Sequence, residues 1–94
     1  MNGNGKEMRR EIYIDCNPDF CDGGYSFTTN GRKFVAMETS QMVEFLREKY
    51  SSNGYKSMII LRKRNLSEEA SDEIDSLKQG IEWTVNRKAQ SQLI

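Results

Sequence analysis

The stretch Tyr25-Ser26-Phe27-Thr28-Thr29-Asn30-Gly31-Arg32-Lys33-Phe34-Val35-Ala36 decides the fold. Two β-rich runs flank Asn30-Gly31. Asn-Gly is the pair that a type I′ turn selects, because both central residues need positive φ. A two-residue loop sets Thr29 against Arg32, Phe27 against Phe34 and Tyr25 against Ala36. One sheet face then carries Tyr25, Phe27, Phe34 and Ala36, and the other carries Ser26, Thr28, Val35 and Met37. The second strand is expected to run from Arg32 to Glu38.

On the C-terminal side, Thr39 and Ser40 suit helix N-caps. Met42, Val43, Leu46 and Tyr50 recur at helical spacing, with Phe45 alongside, so a helix is expected from Gln41 to Ser51, stopped by Asn53-Gly54. Tyr55 to Arg64 reads as a strand. Its run Met58-Ile59-Ile60-Leu61 is apolar in both phases, which predicts a strand inside the sheet with both faces covered. Asn65-Leu66-Ser67 breaks that strand and supplies the N-cap of a final helix running to about Gln90. Glu68, Glu69, Asp72 and Glu73 load its start with the charge the macrodipole favours.

On the N-terminal side, Ile12 and Ile14 alternate with Glu11 and Tyr13, so Arg10 to Asp15 reads as a half-buried strand. Cys16 to Gly24 is loop-like, with Asn17-Pro18-Asp19 and Gly23-Gly24 as turn signals. Met1 to Met8 has no apolar period and is expected to be a flexible tail ahead of a single domain, 9–94. The expected order is β-β-β-α-β-α, an α+β fold. Residues Arg9 to Asp15 are placed along a sheet edge open to strand addition.

Composition bounds the function. The chain has 94 residues, 36% hydrophobic and 30% charged, with 14 basic and 14 acidic side chains. Zero net charge argues against a polyanion mimic and against a wholly basic nucleic-acid binder. No run approaches the roughly 20 apolar residues of a membrane span, and no signal-peptide pattern opens the chain, so a cytoplasmic location without membrane contact is expected. Histidine is absent, which removes the commonest general base and metal ligand.

Cys16-x4-Cys21 lacks the second ligand pair of a zinc site, even with Asp15, Asp19 and Asp22 nearby, and reads as structural or incidental, with a metal- or redox-responsive pair as the alternative. The same segment resembles the start of a calcium loop, but Phe20 stands where glycine makes the sharp turn and Ser26 where glutamate closes it. Gly23-Gly24 precedes a strand, whereas a phosphate loop precedes a helix. No nucleophile–base pairing is legible. The expectation is a non-enzyme with no cofactor and no metal.

Two surfaces remain. The first is on the last helix, where Ala70, Ile74, Leu77, Ile81, Val85 and Ala89 form one apolar stripe. Trp83 points to the opposite side, beside Ser76, Gln79, Gly80 and Arg87. Tryptophan and arginine are frequent interface anchors, and a helical glycine costs about 1 kcal/mol relative to alanine. Ser76, Gln79, Gly80, Trp83 and Arg87 therefore make a candidate patch for a protein partner or a second copy, a homodimer. The alternatives are that Trp83 stacks on Arg87, or is covered by Leu93 and Ile94. A helix of about 23 residues spans roughly 34 Å, so its end, from about Val85, is expected to project beyond the sheet or to pair with another chain. The second surface is basic. Arg62, Lys63 and Arg64, with Tyr13, Tyr25 and Phe27 as stacking platforms, would suit a single-stranded nucleic acid. The bland alternative is screening. Six basic residues lie between Arg47 and Arg64, and five acidic ones between Leu66 and Leu77.

The hairpin Tyr25 to Val35, followed by the Thr39-Ser40-capped segment Met42-Val43-Glu44-Phe45-Leu46, resembles small phage and mobile-element proteins, some anti-CRISPR inhibitors among them. The resemblance covers Tyr25 to Tyr50 and is architectural. It implies an inhibitor or regulator that works by binding a protein, and it assigns no site residue. The DNA-mimicking inhibitors of this plan are strongly acidic, whereas this chain is neutral. The expected function is a non-enzymatic protein-binding module, with nucleic-acid binding as the alternative.

Overall fold

Asn30 and Gly31 both take positive φ, 53° and 75°, as a type I′ turn requires. In the computed structural model, which describes residues 8–21, 23–50 and 55–87, this turn joins β2 (Tyr25–Thr29) to β3 (Arg32–Val35). Phe27 pairs with Phe34 and Thr29 with Arg32. Before them comes β1 (Met8–Pro18). After them come a short 3-10 turn (Ala36–Glu38), α1 (Thr39–Tyr50), β4 (Tyr55–Lys63) and α2 (Glu68–Asn86). The element order is β-β-β-α-β-α, the α+β plan expected.

The sheet order is β3-β2-β1-β4. β1 runs antiparallel to β2 and parallel to β4. Side-chain alternation puts Ile12, Ile14, Cys16, Tyr25, Phe27, Phe34 and Ile59 on one face. Met42, Val43 and Leu46 of α1 and Ile74, Ile81 and Val85 of α2 complete that buried cluster. Both helices thus cover the same face. Glu11, Tyr13, Lys33, Met58 and Arg62 on the opposite face are exposed.

Several boundaries differ from expectation. β1 begins at Met8 and continues to Pro18, so Met8 belongs to the sheet, and Cys16 is a buried strand residue rather than part of a loop. Residues 1–7 lie outside the described residues. β3 ends at Val35 instead of Glu38. The Glu38 carboxylate accepts the Val35 N–H at 2.9 Å and the Thr39 hydroxyl donates to the Ala36 carbonyl at 2.6 Å, which turns the chain out of the sheet. The β2–β3 register therefore ends at Ser26 and Val35, so Tyr25 has no Ala36 partner and pairs only with Pro18 of β1. Thr39 is already helical, with φ −53° and ψ −42°. The Asn53-Gly54 stop lies outside the described residues.

The placement of β4 is the main correction. It is an edge strand, covered on one face only. Ile59 is fully buried and Ser57 is buried, whereas Met58 is 38% exposed. The two-phase apolar run arose because Met58 and Ile60 face the uncovered side, opposite Glu11 and Tyr13. β1 takes the interior place instead, so Arg9 to Asp15 has a strand along one side throughout. The bare edge of β4 is covered by side chains of α2. Asn86 Oδ1 accepts the Ser57 N–H at 2.7 Å, Asn86 Nδ2 donates to the Ser57 carbonyl at 2.9 Å, and Glu82 Oε2 accepts the Ile59 N–H at 2.8 Å. Occupied edge groups resist pairing with a stray strand.

Ser67 caps α2 as expected, accepting the Ala70 N–H at 3.1 Å. The helix ends at Asn86, because Arg87 is extended (φ −72°, ψ 115°). Its 19 residues span roughly 28 Å. Val85 is 1% exposed, so the last described turn packs on the sheet and does not project. Ala89, Leu93 and Ile94 lie outside the described residues.

Asn86→Ala strips both Ser57 backbone groups of their partner. The expected loss is about 1–3 kcal/mol of unfolding free energy in urea, against no more than about 0.5 for Gln79→Ala on the exposed side of the same helix.

Candidate protein-binding surface on the helical layer

Ser76, Gly80, Trp83 and Arg87 recur at intervals of four, three and four, so they share one stripe of α2. All four are exposed, as is Gln79 beside them. Trp83 is 63% exposed. The Arg87 guanidinium lies 4.9 Å from its ring centroid, a cation–π contact across one helical turn. The Arg87 stack, read in the sequence as an alternative to the partner patch, is present, and it leaves the indole exposed; cover by Leu93 and Ile94 falls outside the described residues. The Ser76 hydroxyl is turned back to the Asp72 carbonyl at 3.0 Å.

Gly80 connects this stripe to a second feature. Apart from its chain neighbours and its own helix backbone, nothing lies within 4 Å of the place a Cβ would occupy there. The residue also lines a groove of about 650 Å³ between α1 and α2, whose other walls include Val43, Phe45, Leu77, Ile81 and Thr84. Because Gly80 has no side chain, the groove and the flank of Trp83 meet over bare helix backbone. The α1 wall, with Val43 and Phe45, was missed in the sequence. Their spacing marks them as core residues, and only the packing of α1 beside α2 shows that Phe45 is half-covered at a groove.

The basic surface does not assemble as expected. Tyr25 and Phe27 are 5% and 0% exposed and pack edge-to-face at 5.4 Å in the core, so neither is a stacking platform. The hairpin register turns both toward the helices. Burial is the first cause, and Glu73 the second, that raises the Tyr25 hydroxyl pKa. Tyr13 is on the surface, but its ring lies under the Arg62 guanidinium, 4.6 Å from the centroid. Its hydroxyl donates to the Glu11 carboxylate, which raises its pKa. Arg62 is bidentate to Asp15 at 2.7 and 3.2 Å. Lys63, in the opposite strand phase, reaches Asp75 and Ser71 at 2.8 Å each. Arg64 is exposed beyond the strand end. The three cations therefore point to two faces; Lys63 is held by Asp75 at the acidic start of α2, as the screening alternative had it, whereas Arg62 is held by Asp15 of β1, outside that acidic block.

The cysteines are free, Cys16 buried and Cys21 exposed. Cys21 sits beside Phe20, which is 92% exposed in the β1–β2 loop. The Cys21 N–H donates to Asp19 Oδ1 at 3.1 Å, shaping that loop. Asp22 lies outside the described residues. Among the described residues, no three His, Cys, Asp or Glu side chains gather where they could hold a metal ion, and no helix is long and apolar enough to cross a membrane.

Burial pushes the Cys16 thiol from an ordinary 9.0 up to about 11, against the lowering charge of Lys63. A thiol reagent at pH 8 should consume Cys21 at once and reach Cys16 only on unfolding, one fast equivalent and one slow. The neutral Cys16 thiol favours the fold fully below about pH 9, and that contribution falls as pH rises toward 11. Unfolding in urea across this range, compared with Cys16→Ala, measures the difference. No family model, no curated protein and no solved structure matches the chain.

Proposed function

We propose that the protein is a non-enzymatic binding module that docks another protein on the outward side of α2, with Trp83 as its anchor. The observation that carries this reading is the exposed Trp83 indole standing beside the bare backbone of Gly80 at the mouth of the α1–α2 groove. A large apolar side chain held rigidly on a helix, next to a concave apolar surface, supplies the two halves of an interface core. Arg87 adds a rigid cationic rim, since its guanidinium is already ordered on the indole. The partner suited to this surface presents an apolar side chain to the groove over Gly80 and a carboxylate or carbonyl to Arg87. A module of this kind acts as an inhibitor or regulator does, by occupying a surface of its partner. Nucleic-acid binding has less support, because two of its three aromatic platforms are in the core.

The test is a photo-crosslinking amino acid at Gln79, in cells that carry the protein, with the same group at Lys56 on the uncovered sheet face as control. One adduct with a foreign protein of defined mass is expected from position 79, and no adduct with that protein from 56. Trp83→Ala should weaken binding of that partner by about 30-fold or more while leaving the unfolding midpoint unchanged. An adduct indifferent to Trp83→Ala, or one at twice the mass of the chain, would overturn the assignment to a foreign partner on this face.

A further inference from the structure

Among the described residues the sheet has three stretches of outward backbone, and side chains take part of the groups on two of them. Along β4, Asn86 and Glu82 take the groups of Ser57 and Ile59. β3 has only four residues, and Glu38 takes the Val35 N–H. The third stretch is the N-terminal half of β1. β4 pairs with β1 from Met8 to Cys16, but β2 pairs with it only from Asp15 to Pro18. The Tyr13 carbonyl, on the side away from β4, accepts the Thr29 hydroxyl at 2.9 Å. Backbone direction alternates with period two, so the N–H and C=O groups of Arg9 and Glu11 point the same way as that carbonyl. Among the described residues no strand lies beside them. A notch of about 300 Å³, lined in part by Glu11, Ile12, Thr29, Asn30 and Tyr50, marks the place where β2 leaves β1.

We propose that this open edge pairs with the same edge of a second copy of the chain, antiparallel, with the two-fold axis at Arg10. The open window runs from Met8 to Ile12, and Arg10 is its midpoint. An axis there sets Met8 against Ile12 and Arg9 against Glu11, each twice. Arg9 and Glu11 are the residues whose N–H and C=O groups face outward, so each opposed pair exchanges two backbone hydrogen bonds. Both side chains lie on the uncovered sheet face and carry opposite charges. Every hydrogen-bonded pair across the axis is thus also an ion pair. Moving the axis to Glu11 would oppose two carboxylates and require the Tyr13 carbonyl that Thr29 already uses. At the axis itself, Arg10 meets its own copy on the covered face. Its guanidinium is drawn aside, 4.9 Å from the Tyr50 ring centroid and 4.8 Å from that of Tyr55, and donates to Ser57 Oγ at 3.0 Å. This surface is separate from the α2 face and does not depend on its partner.

Sedimentation equilibrium of the full chain at low ionic strength tests the register. The wild type should reach twice the monomer mass of 10.9 kDa. Arg9→Glu and Glu11→Arg each set like charges across both pairs and should raise the dimer Kd by about tenfold or more. The double swap Arg9→Glu/Glu11→Arg restores opposite charges and should return Kd to within about threefold of the wild type. Rescue by the swap separates pairing from any effect on folding. A wild type that stays monomeric up to about 1 mM would overturn the proposal. So would a dimer whose Kd ignores both single reversals, or one that Trp83→Ala dissolves.

Discussion

The rest of the structure depends on one strand having neighbours on both sides. β1 supplies backbone partners to β2 at one end and to β4 along nearly its whole length. Its alternation of Ile12, Ile14 and Cys16 with Glu11, Tyr13 and Asp15 therefore fixes which way both neighbours face. Phe27 faces the helices because it sits opposite Cys16, and Ile59 does so because it sits opposite Ile12. A slip of one residue in either register would send Phe27 or Ile59 to the uncovered side. The covered face then determines the helices, since α1, toward β3, and α2, toward β4, lie side by side over that one face.

Sharing that face has a geometric cost that shapes the surface. Two helices laid on a narrow sheet meet at a seam, and the side chains at the seam decide whether it closes. Here Gly80 leaves it open. The same helix wraps around the sheet edge on its other side, where Glu82 and Asn86 bond the β4 backbone. α2 thus has three distinct sides: an apolar one for the core, a polar one for a strand edge, and one that carries Trp83.

Local signals in the sequence were legible where local physics decides. The Asn30-Gly31 turn, the Ser67 cap, the apolar stripe of α2 and the outward direction of Trp83 depend on neighbours a few residues away, and each stands as read. Signals that depend on distant partners misled. Met58-Ile59-Ile60-Leu61 has the composition of an interior strand, yet Met58 and Ile60 face the uncovered side, because nothing in a single strand tells whether a second layer exists. Tyr25 and Phe27 read as stacking platforms on the surface, whereas their positions opposite Pro18 and Cys16 put them in the core. The edge bonds from Asn86 and Glu82 had no signal at all, since a polar residue on a helix reads as solvated until a strand edge is placed beside it. Of the candidate surfaces, the α2 stripe was visible through helical periodicity. Its α1 wall was not, because Val43 and Phe45 carry the ordinary spacing of core residues.

The parallel pairing of β1 with β4 bears on how the chain comes together in time. Every residue of β1 from Met8 to Cys16 meets its β4 partner 47 positions further along. Contacts of such separation form late, after the cost of closing the intervening loop has been met. On a ribosome, β2, β3 and α1 emerge and can assemble first, while the long inner strand still lacks the neighbour that covers most of it. Until β4 and then α2 arrive, β1 has two incomplete sides, and Ile12 and Ile14 lack most of their cover. Synthesis of the chain therefore passes through an interval in which Ile12 and Ile14 stand uncovered, and α2 ends it by covering both their face and the β4 edge.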